Sequence, residues 1–172
     1  MAAPAAACDK PPMPDAPPPP ALSLAAYQAR VGLELGTGDW ALVDQPAIDA
    51  FAELTGDRQF IHVDPARAAK TPFGGTIAHA FFVLSLLGGQ ALERLPMLEG
   101  AQIGLNYGFD RVRFMNPVRS GKRVRPRFRL KAVEPRREGQ VLVTVEATVE
   151  IEGEAKPALV ADWLVMMLGA AG

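Results

Sequence analysis

The order of patterns along the chain predicts an α+β fold. Helical patterns come first, and the longest of them, Ile77–Leu92, is apolar on nearly all sides, which is typical of a buried helix. After Gly100 the pattern changes to alternating and β-branched segments, which are typical of antiparallel strands. Because an apolar helix needs cover, we expect one sheet packed over it. The strand patterns span Trp40–Val43, Phe109–Met115, Lys122–Val133, Gln140–Glu152 and Pro157–Leu168.

The length and composition favour one domain with a tail. The chain has 172 residues, of which 49% are hydrophobic, so it can bury a core. Residues Met1–Pro20 are rich in alanine and proline, which favours an extended tail over a packed structure. We therefore expect a disordered segment over residues 1–20 and a single domain over residues 21–172.

The charge, the cysteine content and the hydropathy pattern argue against several classes of protein. The net charge is −1, which gives no signature of nucleic-acid binding. Cys8 is the only cysteine, so no disulfide forms within the chain. The beginning of the sequence lacks the basic and apolar regions of a secretory signal, and Ile77–Leu92 is too short and interrupted to span a bilayer. We expect a cytoplasmic protein without a membrane partner.

A clear amphipathic helix precedes the first group of polar residues. Pro46–Thr55 carries apolar side chains at three- and four-residue spacing, and Asp44 or Gln45 is expected to cap it. Gly56 follows in the position where a left-handed residue ends a helix, so Asp57 emerges in a loop with a fixed entry. The other helices are predicted at Ala21–Gly32, at Ala66–Lys70 after Asp64 and Pro65, and at Ile77–Leu92 after a Thr76 cap.

Both histidines and two aspartates lie between Thr55 and His79. Asp57 and His62 are separated by a turn, and such a pair can deprotonate and position a water molecule. The alternatives are a turn-forming aspartate and a partly buried histidine. His79 is explained as well by a structural hydrogen bond, and Asp64 by helix capping. The usual spacing of metal ligands is missing, so we predict no metal site.

The start of the apolar helix is a second candidate feature. Backbone N–H groups near Ile77–Ala80 are predicted to be free of helical hydrogen bonds, and such groups can stabilise an oxyanion. Gly74 and Gly75 permit close approach of a substrate. The alternative is a capped helix that follows a flexible loop.

Arg111–Arg137 holds 11 of the 18 Lys and Arg residues. Its row of cations has two explanations, a phosphate-bearing ligand or a salt ladder with acidic residues on the neighbouring strand. The alternation favours the ladder for most of the row. The row comprises Arg123, Arg125, Arg127, Arg129 and Lys131, and its proposed partners are Glu146, Glu150 and Glu152.

Four segments resemble the MaoC-like (R)-specific enoyl-CoA hydratases, and most closely their nodulation-protein-N-like branch. They are Phe51–Asp57, Ile61–Pro65, Pro72–His79 and Asn106–Phe114. The resemblance implies a hotdog fold, in which an antiparallel sheet wraps around a buried central helix. It also implies a homodimer, with a CoA thioester bound near the subunit interface.

The resemblance assigns catalysis to Asp57 and His62 and requires no cofactor. The expected reaction is hydration of trans-2-enoyl-CoA to (R)-3-hydroxyacyl-CoA, or its reverse, with Asp57 as the base and His62 orienting the water and helping to return the proton.

Where the family usually has glycine this chain has Ala80, and where some members have serine it has Gly88. The predicted substrate-binding residues are Gly75, His79, Ala80, Arg111 and Arg113. The alternatives are an acyl-CoA-binding protein without significant turnover and a hotdog acyl-CoA thioesterase.

Overall fold

The structure is a computed structural model that describes residues 19–92, 94–137 and 139–169. The predicted tail lies outside the described residues except for Pro19 and Pro20. The helices are α1 (Leu24–Gln28), α2 (Gln45–Thr55), α3 (Phe60–Val63), α4 (Pro65–Ala68) and α5 (Ala80–Leu92). The strands are β1 (Glu34–Thr37), β2 (Ala41–Val43), β3 (Ile103–Phe114), β4 (Lys122–Arg137), β5 (Gln140–Ile151) and β6 (Leu159–Leu168).

The six strands form one antiparallel sheet, with the order β1-β4-β5-β6-β3 and with β2 paired to β4. The buried side of α5, formed by Val83, Leu87 and Ala91, shares a core cluster with side chains of β4, β5 and β6, including Phe128 and Trp163. A long antiparallel sheet wrapped around a central helix is the hotdog fold, so the predicted fold class is confirmed. In the described part of the chain, no helix combines the length and apolar character needed to cross a bilayer.

The central helix begins three residues later than predicted. The N–H groups of Ile77 and Ala78 donate to carbonyls on neighbouring segments at 3.0 and 2.8 Å, so this stretch belongs to the surrounding loops. The Thr76 hydroxyl donates to the Gln45 side chain rather than capping the helix. The predicted start at Ile77 and the predicted Thr76 cap are therefore wrong, and the helix starts at Ala80.

Further elements differ from the sequence-based expectation, among them strand β3, which starts at Ile103 rather than at Phe109. The first helix is only five residues long, because Leu22 pairs with Leu98 in a bridge before the helix starts at Leu24. Strand β1 was not predicted, and it forms by backbone pairing with β4. Helix α3 was not predicted, because four residues are too few to show helical periodicity.

The salt ladder along β4 is confirmed. Alternate side chains of this strand point outward, while Val124, Phe128 and Leu130 between them are buried. Two acidic partners beyond the predicted three come from β1 and β6. The pairs are Arg123–Glu152, Arg125–Glu150, Arg127–Glu34, Arg129–Glu146 and Lys131–Asp162. Most of the basic side chains in Arg111–Arg137 are thus paired with acidic side chains of the same chain.

One face of the single chain stays open. Strand β3 is the last strand of the sheet order, and its apolar side chains are exposed, including Leu105 at 47% and Tyr107 at 63%. Phe81 of α5 is also 68% exposed, and its ring contacts Phe114 at the end of β3 with a centroid distance of 5.7 Å. The central helix is therefore covered by the sheet on one side and open on the other. An open apolar face of this kind is typical of a protein interface.

Candidate active site

The end of α2 fixes the position of Asp57. Asp44 caps the start of this helix by accepting a hydrogen bond from the Ala47 N–H at 3.0 Å. Gly56 ends it with a φ of 78°, and its N–H donates to the Ala52 carbonyl. Asp57 follows at once with an exposed side chain, and its Oδ1 lies 3.4 Å from the Gln59 N–H. Both predicted caps of this helix are confirmed. They place Asp57 directly after the tight turn that ends α2.

His62 lies on the short helix α3 and is 6% exposed. Its Nδ1 lies 2.7 Å from the Ile77 carbonyl oxygen. A carbonyl oxygen only accepts hydrogen bonds, so Nδ1 carries the proton and Nε2 keeps its lone pair. Burial lowers the pKa of His62, and the positive charge of a protonated His79 would lower it further. The Ile77 hydrogen bond and the Asp57 charge oppose this shift only in part, so His62 is a neutral acceptor at neutral pH.

His79 joins the two predicted catalytic residues. It is 3% exposed, and its Nε2 lies 2.8 Å from the Asp57 backbone oxygen, to which it donates. Its ring stacks on that of His62 with centroids 3.8 Å apart, and Phe51 covers another side at 5.1 Å. His79 therefore makes the structural hydrogen bond that the sequence suggested, and it holds the Asp57 loop against His62.

The three side chains converge. A carboxylate oxygen of Asp57 and one ring nitrogen from each histidine all lie within 4.8 Å of one another. One water can bridge two such atoms, since each hydrogen bond spans roughly 2.7–3.0 Å. The same three groups are potential metal ligands. His62 Nδ1 and His79 Nε2 bond to backbone carbonyls, which leaves the other nitrogen of the His62 ring available to a water molecule.

These groups border a cavity of about 450 Å³ at the start of α5. Of the predicted site residues, Asp57, His62, His79 and Ala80 line it. Gly75 lies outside its walls, and Arg111 and Arg113 lie on exposed β3 next to the lining segment. The sequence interpretation did not assign several apolar lining residues to the site. These are Phe73, Phe81, Val83, Phe114, Met115, Pro117, Val118 and Leu159.

The first N–H groups of α5 lie at the end of the helix that borders the cavity. Ala80 is the first helical residue, so its N–H has no acceptor within the helix. The N–H groups of Ile77 and Ala78, which the sequence suggested as free donors, are engaged elsewhere in the fold. The group of candidate oxyanion donors therefore starts at Ala80 rather than at Ile77.

The chain matches the family described as MaoC like domain over residues 26–151, and it belongs to this family of dehydratases. It is 52% identical to nodulation protein N of Rhizobium leguminosarum bv. viciae, covering 85% of this chain and 91% of that protein. It is 46% identical to 3-hydroxyacyl-thioester dehydratase Z of Mycobacterium tuberculosis (strain ATCC 25618 / H37Rv), covering 83% and 94%.

A solved structure extends the likeness to three dimensions. The (R)-hydratase from A. caviae involved in PHA biosynthesis is 27% identical and superimposes with a TM-score of 0.61. The alignment covers 76% of this chain and 96% of that chain. The family resemblance that the sequence motifs suggested is thus confirmed.

Proposed function

We propose that this protein is a hydro-lyase that adds water to trans-2-enoyl-CoA to give (R)-3-hydroxyacyl-CoA, or catalyses the reverse dehydration. The observation that carries the proposal is the convergence of Asp57 and neutral His62 in one cavity at the start of α5. The thioester dehydratase activity in the name of one relative supports the reaction class. The likeness to an (R)-hydratase supports the stereochemistry.

The proposed reaction begins with one water held between the two side chains. The water donates one hydrogen bond to the Asp57 carboxylate and the other to Nε2 of His62. As its oxygen bonds to C3, Asp57 takes one proton, and the electron pair of the C2–C3 double bond moves toward the thioester. The acid form of Asp57 then returns that proton to C2, which restores the carboxylate.

The thioester oxygen gains negative charge while the water adds. A helix N-terminus offers unpaired N–H donors and the positive end of the helix dipole, both of which stabilise such charge. We propose that the oxygen lies against the Ala80 N–H. A methyl group stands here in place of the family's glycine hydrogen, so Ala80 also narrows the site beside the acyl group.

Turnover assays distinguish this proposal from its alternatives. The purified chain is incubated with a short and a medium trans-2-enoyl-CoA, while the absorbance of the conjugated thioester and the release of free thiol are followed. We expect loss of the conjugated absorbance without thiol release. Thiol release would instead indicate a thioesterase. A folded chain that binds acyl-CoA with negligible turnover would be a binding protein.

We propose that a second copy of this chain covers the open face formed by β3 and Phe81. Edge strands with exposed apolar residues favour pairing with another chain, and a two-fold dimer would bury the same patch on both copies. The CoA thioester would then bind near this interface, because Phe81, Phe114 and Met115 belong both to the open face and to the cavity wall.

Replacing Leu105 with lysine is expected to convert the dimer to a monomer, because it places a charge among the exposed apolar side chains of β3. Light scattering at micromolar concentration measures the change. Leu54→Lys is the matched control, since Leu54 is 84% exposed on α2 and should leave the dimer intact. A wild-type chain that is monomeric under the same conditions would contradict this assembly.

We propose that Arg111 and Arg113 contact the CoA phosphates. Replacing either by alanine is expected to raise KM up to about fivefold, as for loss of an exposed ion pair worth ~1 kcal/mol, with little change in kcat. Arg123→Ala is the control, because Arg123 pairs with Glu152 within the ladder. Unchanged KM values for both test variants would show that neither arginine contributes to binding of the CoA phosphates.

A further inference from the structure

Gln45, the first residue of α2, joins the two chain segments that hold His62. Its Nε2 donates to the His62 backbone carbonyl at 2.7 Å, and its Oε1 accepts from the Thr76 hydroxyl at 2.5 Å. The same Nε2 also donates to the Asp49 carboxylate at the surface of α2, at 2.8 Å. Carbonyl and carboxylate oxygens only accept hydrogen bonds, so these partners determine which end of the amide carries the nitrogen.

This amide bridge satisfies two polar groups that the local structure leaves without partners. Helix α3 ends at Val63, so the His62 carbonyl has no donor within that helix. Thr76 is 5% exposed, and a buried hydroxyl needs a hydrogen-bond partner. Glutamine suits the position, because one amide group supplies a donor to the carbonyl and an acceptor to the hydroxyl.

The amide bridge lies beside the hydrogen bond that orients the His62 ring. Ile77 follows Thr76, and its carbonyl oxygen lies 2.7 Å from His62 Nδ1. The Ile77 N–H donates in turn to the Ile61 carbonyl at 3.0 Å. These two hydrogen bonds and the Gln45 bridge thus join the same two segments. Together they keep Nδ1 against a carbonyl and leave Nε2 free for a water molecule.

We infer that Gln45 is a positioning residue for His62. Neither Gln45 nor Thr76 is among the described residues that line the catalytic cavity, so the amide acts through His62 rather than on the substrate. It holds the His62 backbone where Nδ1 can donate to the Ile77 carbonyl. This inference rests on the proposed function, because it gives Gln45 the role of orienting the nitrogen that binds the reacting water.

The kinetic test replaces Gln45 with methionine, which has a similar length but neither the donor nor the acceptor. We expect kcat with an enoyl-CoA to fall about tenfold, the scale of one lost hydrogen bond, while KM stays within about twofold. Gln28→Met is the matched control, since Gln28 is exposed on α1 and should keep wild-type kcat. Circular dichroism and the melting temperature verify that both variants fold.

A second variant breaks the bridge from its other end. Thr76→Val replaces the hydroxyl with a methyl group of similar size and leaves α2 unchanged. Its loss of kcat should be smaller than that of Gln45→Met, because the hydrogen bond to the His62 carbonyl remains. The double variant should match Gln45→Met within about twofold, since the two side chains form one bridge. Losses that multiply would overturn the inference.

A spectroscopic test does not depend on turnover. The chain has two histidines, and their hydrogen bonds give them opposite tautomers, with the proton on Nδ1 of His62 and on Nε2 of His79. Long-range proton–nitrogen NMR spectra in mildly alkaline buffer distinguish these two forms. In Gln45→Met, the His62 signals should move toward those of a mixture of tautomers, while the His79 signals stay in place. Gln28→Met should retain the wild-type spectrum.

The outcomes separate the inference from the proposed function. A folded Gln45→Met variant with wild-type kcat, or with a loss confined to KM, would overturn the inference and leave the hydratase proposal intact. An unchanged His62 tautomer in this variant would also overturn it. Absent turnover in the wild type, together with a His62 tautomer that changes in Gln45→Met, would contradict the hydratase and retain Gln45 as the residue that orients His62.

Discussion

Replacing Asp57 with asparagine, or His62 with alanine, is expected to lower kcat at least ~100-fold, the usual contribution of an acid–base residue. The first change removes the group that takes the proton, and the second removes the acceptor that orients the water. Because both side chains hold the same water, the double variant should be little worse than the more impaired single variant. Initial rates with a good enoyl-CoA measure all three, and circular dichroism verifies their folding.

Asp64→Asn is the matched control for the Asp57 change, since it lies in the same motif but caps α4 by accepting from the Arg67 N–H at 3.0 Å. It should keep wild-type kcat. A chelator should have no effect on the wild type either. Near-wild-type turnover by a folded Asp57 or His62 variant would show that the residue has another role.

The lowered pKa of His62 predicts how activity depends on pH. A base with a lowered pKa stays neutral to a lower pH than free histidine, whose ordinary pKa is about 6.5. Activity should therefore persist as the pH falls to this value and decline only below it, when His62 gains a proton and ceases to accept from water.

Replacing Ala80 with proline is expected to lower kcat by about 100–1000-fold, the usual effect of losing one oxyanion donor. Ala80 is the first residue of α5, a position where proline fits a helix and where its missing N–H breaks no helical hydrogen bond. The melting temperature should therefore change little. Ala80→Gly keeps the N–H and should retain activity. Equal kcat for the proline and glycine variants would place the thioester oxygen elsewhere.

The parts of the fold that follow from local rules were predictable from the sequence. The αL glycine at position 56 and the proline at position 46 define α2 and hence the place of Asp57. The alternation along β4 and the acidic positions of β5 predicted the salt ladder, because strand parity decides which side chains face one another.

The remaining features depend on contacts between distant segments. Thr76 has the chemistry of a helix cap, yet its hydroxyl bonds to Gln45 on α2, which is distant in sequence. The stacking of His62 on His79 places two residues 17 positions apart at 3.8 Å, which no local pattern encodes. Sequence motifs thus predicted the candidate catalytic side chains, while the fold determined how they are held.

Chiral analysis of the product formed from trans-2-enoyl-CoA tests the proposed hydration. We expect the wild-type chain to yield (R)-3-hydroxyacyl-CoA and the Asp57→Asn variant to yield at least ~100-fold less per unit time. An (S) product, or formation of the (R) product at an equal rate by Asp57→Asn, would contradict it.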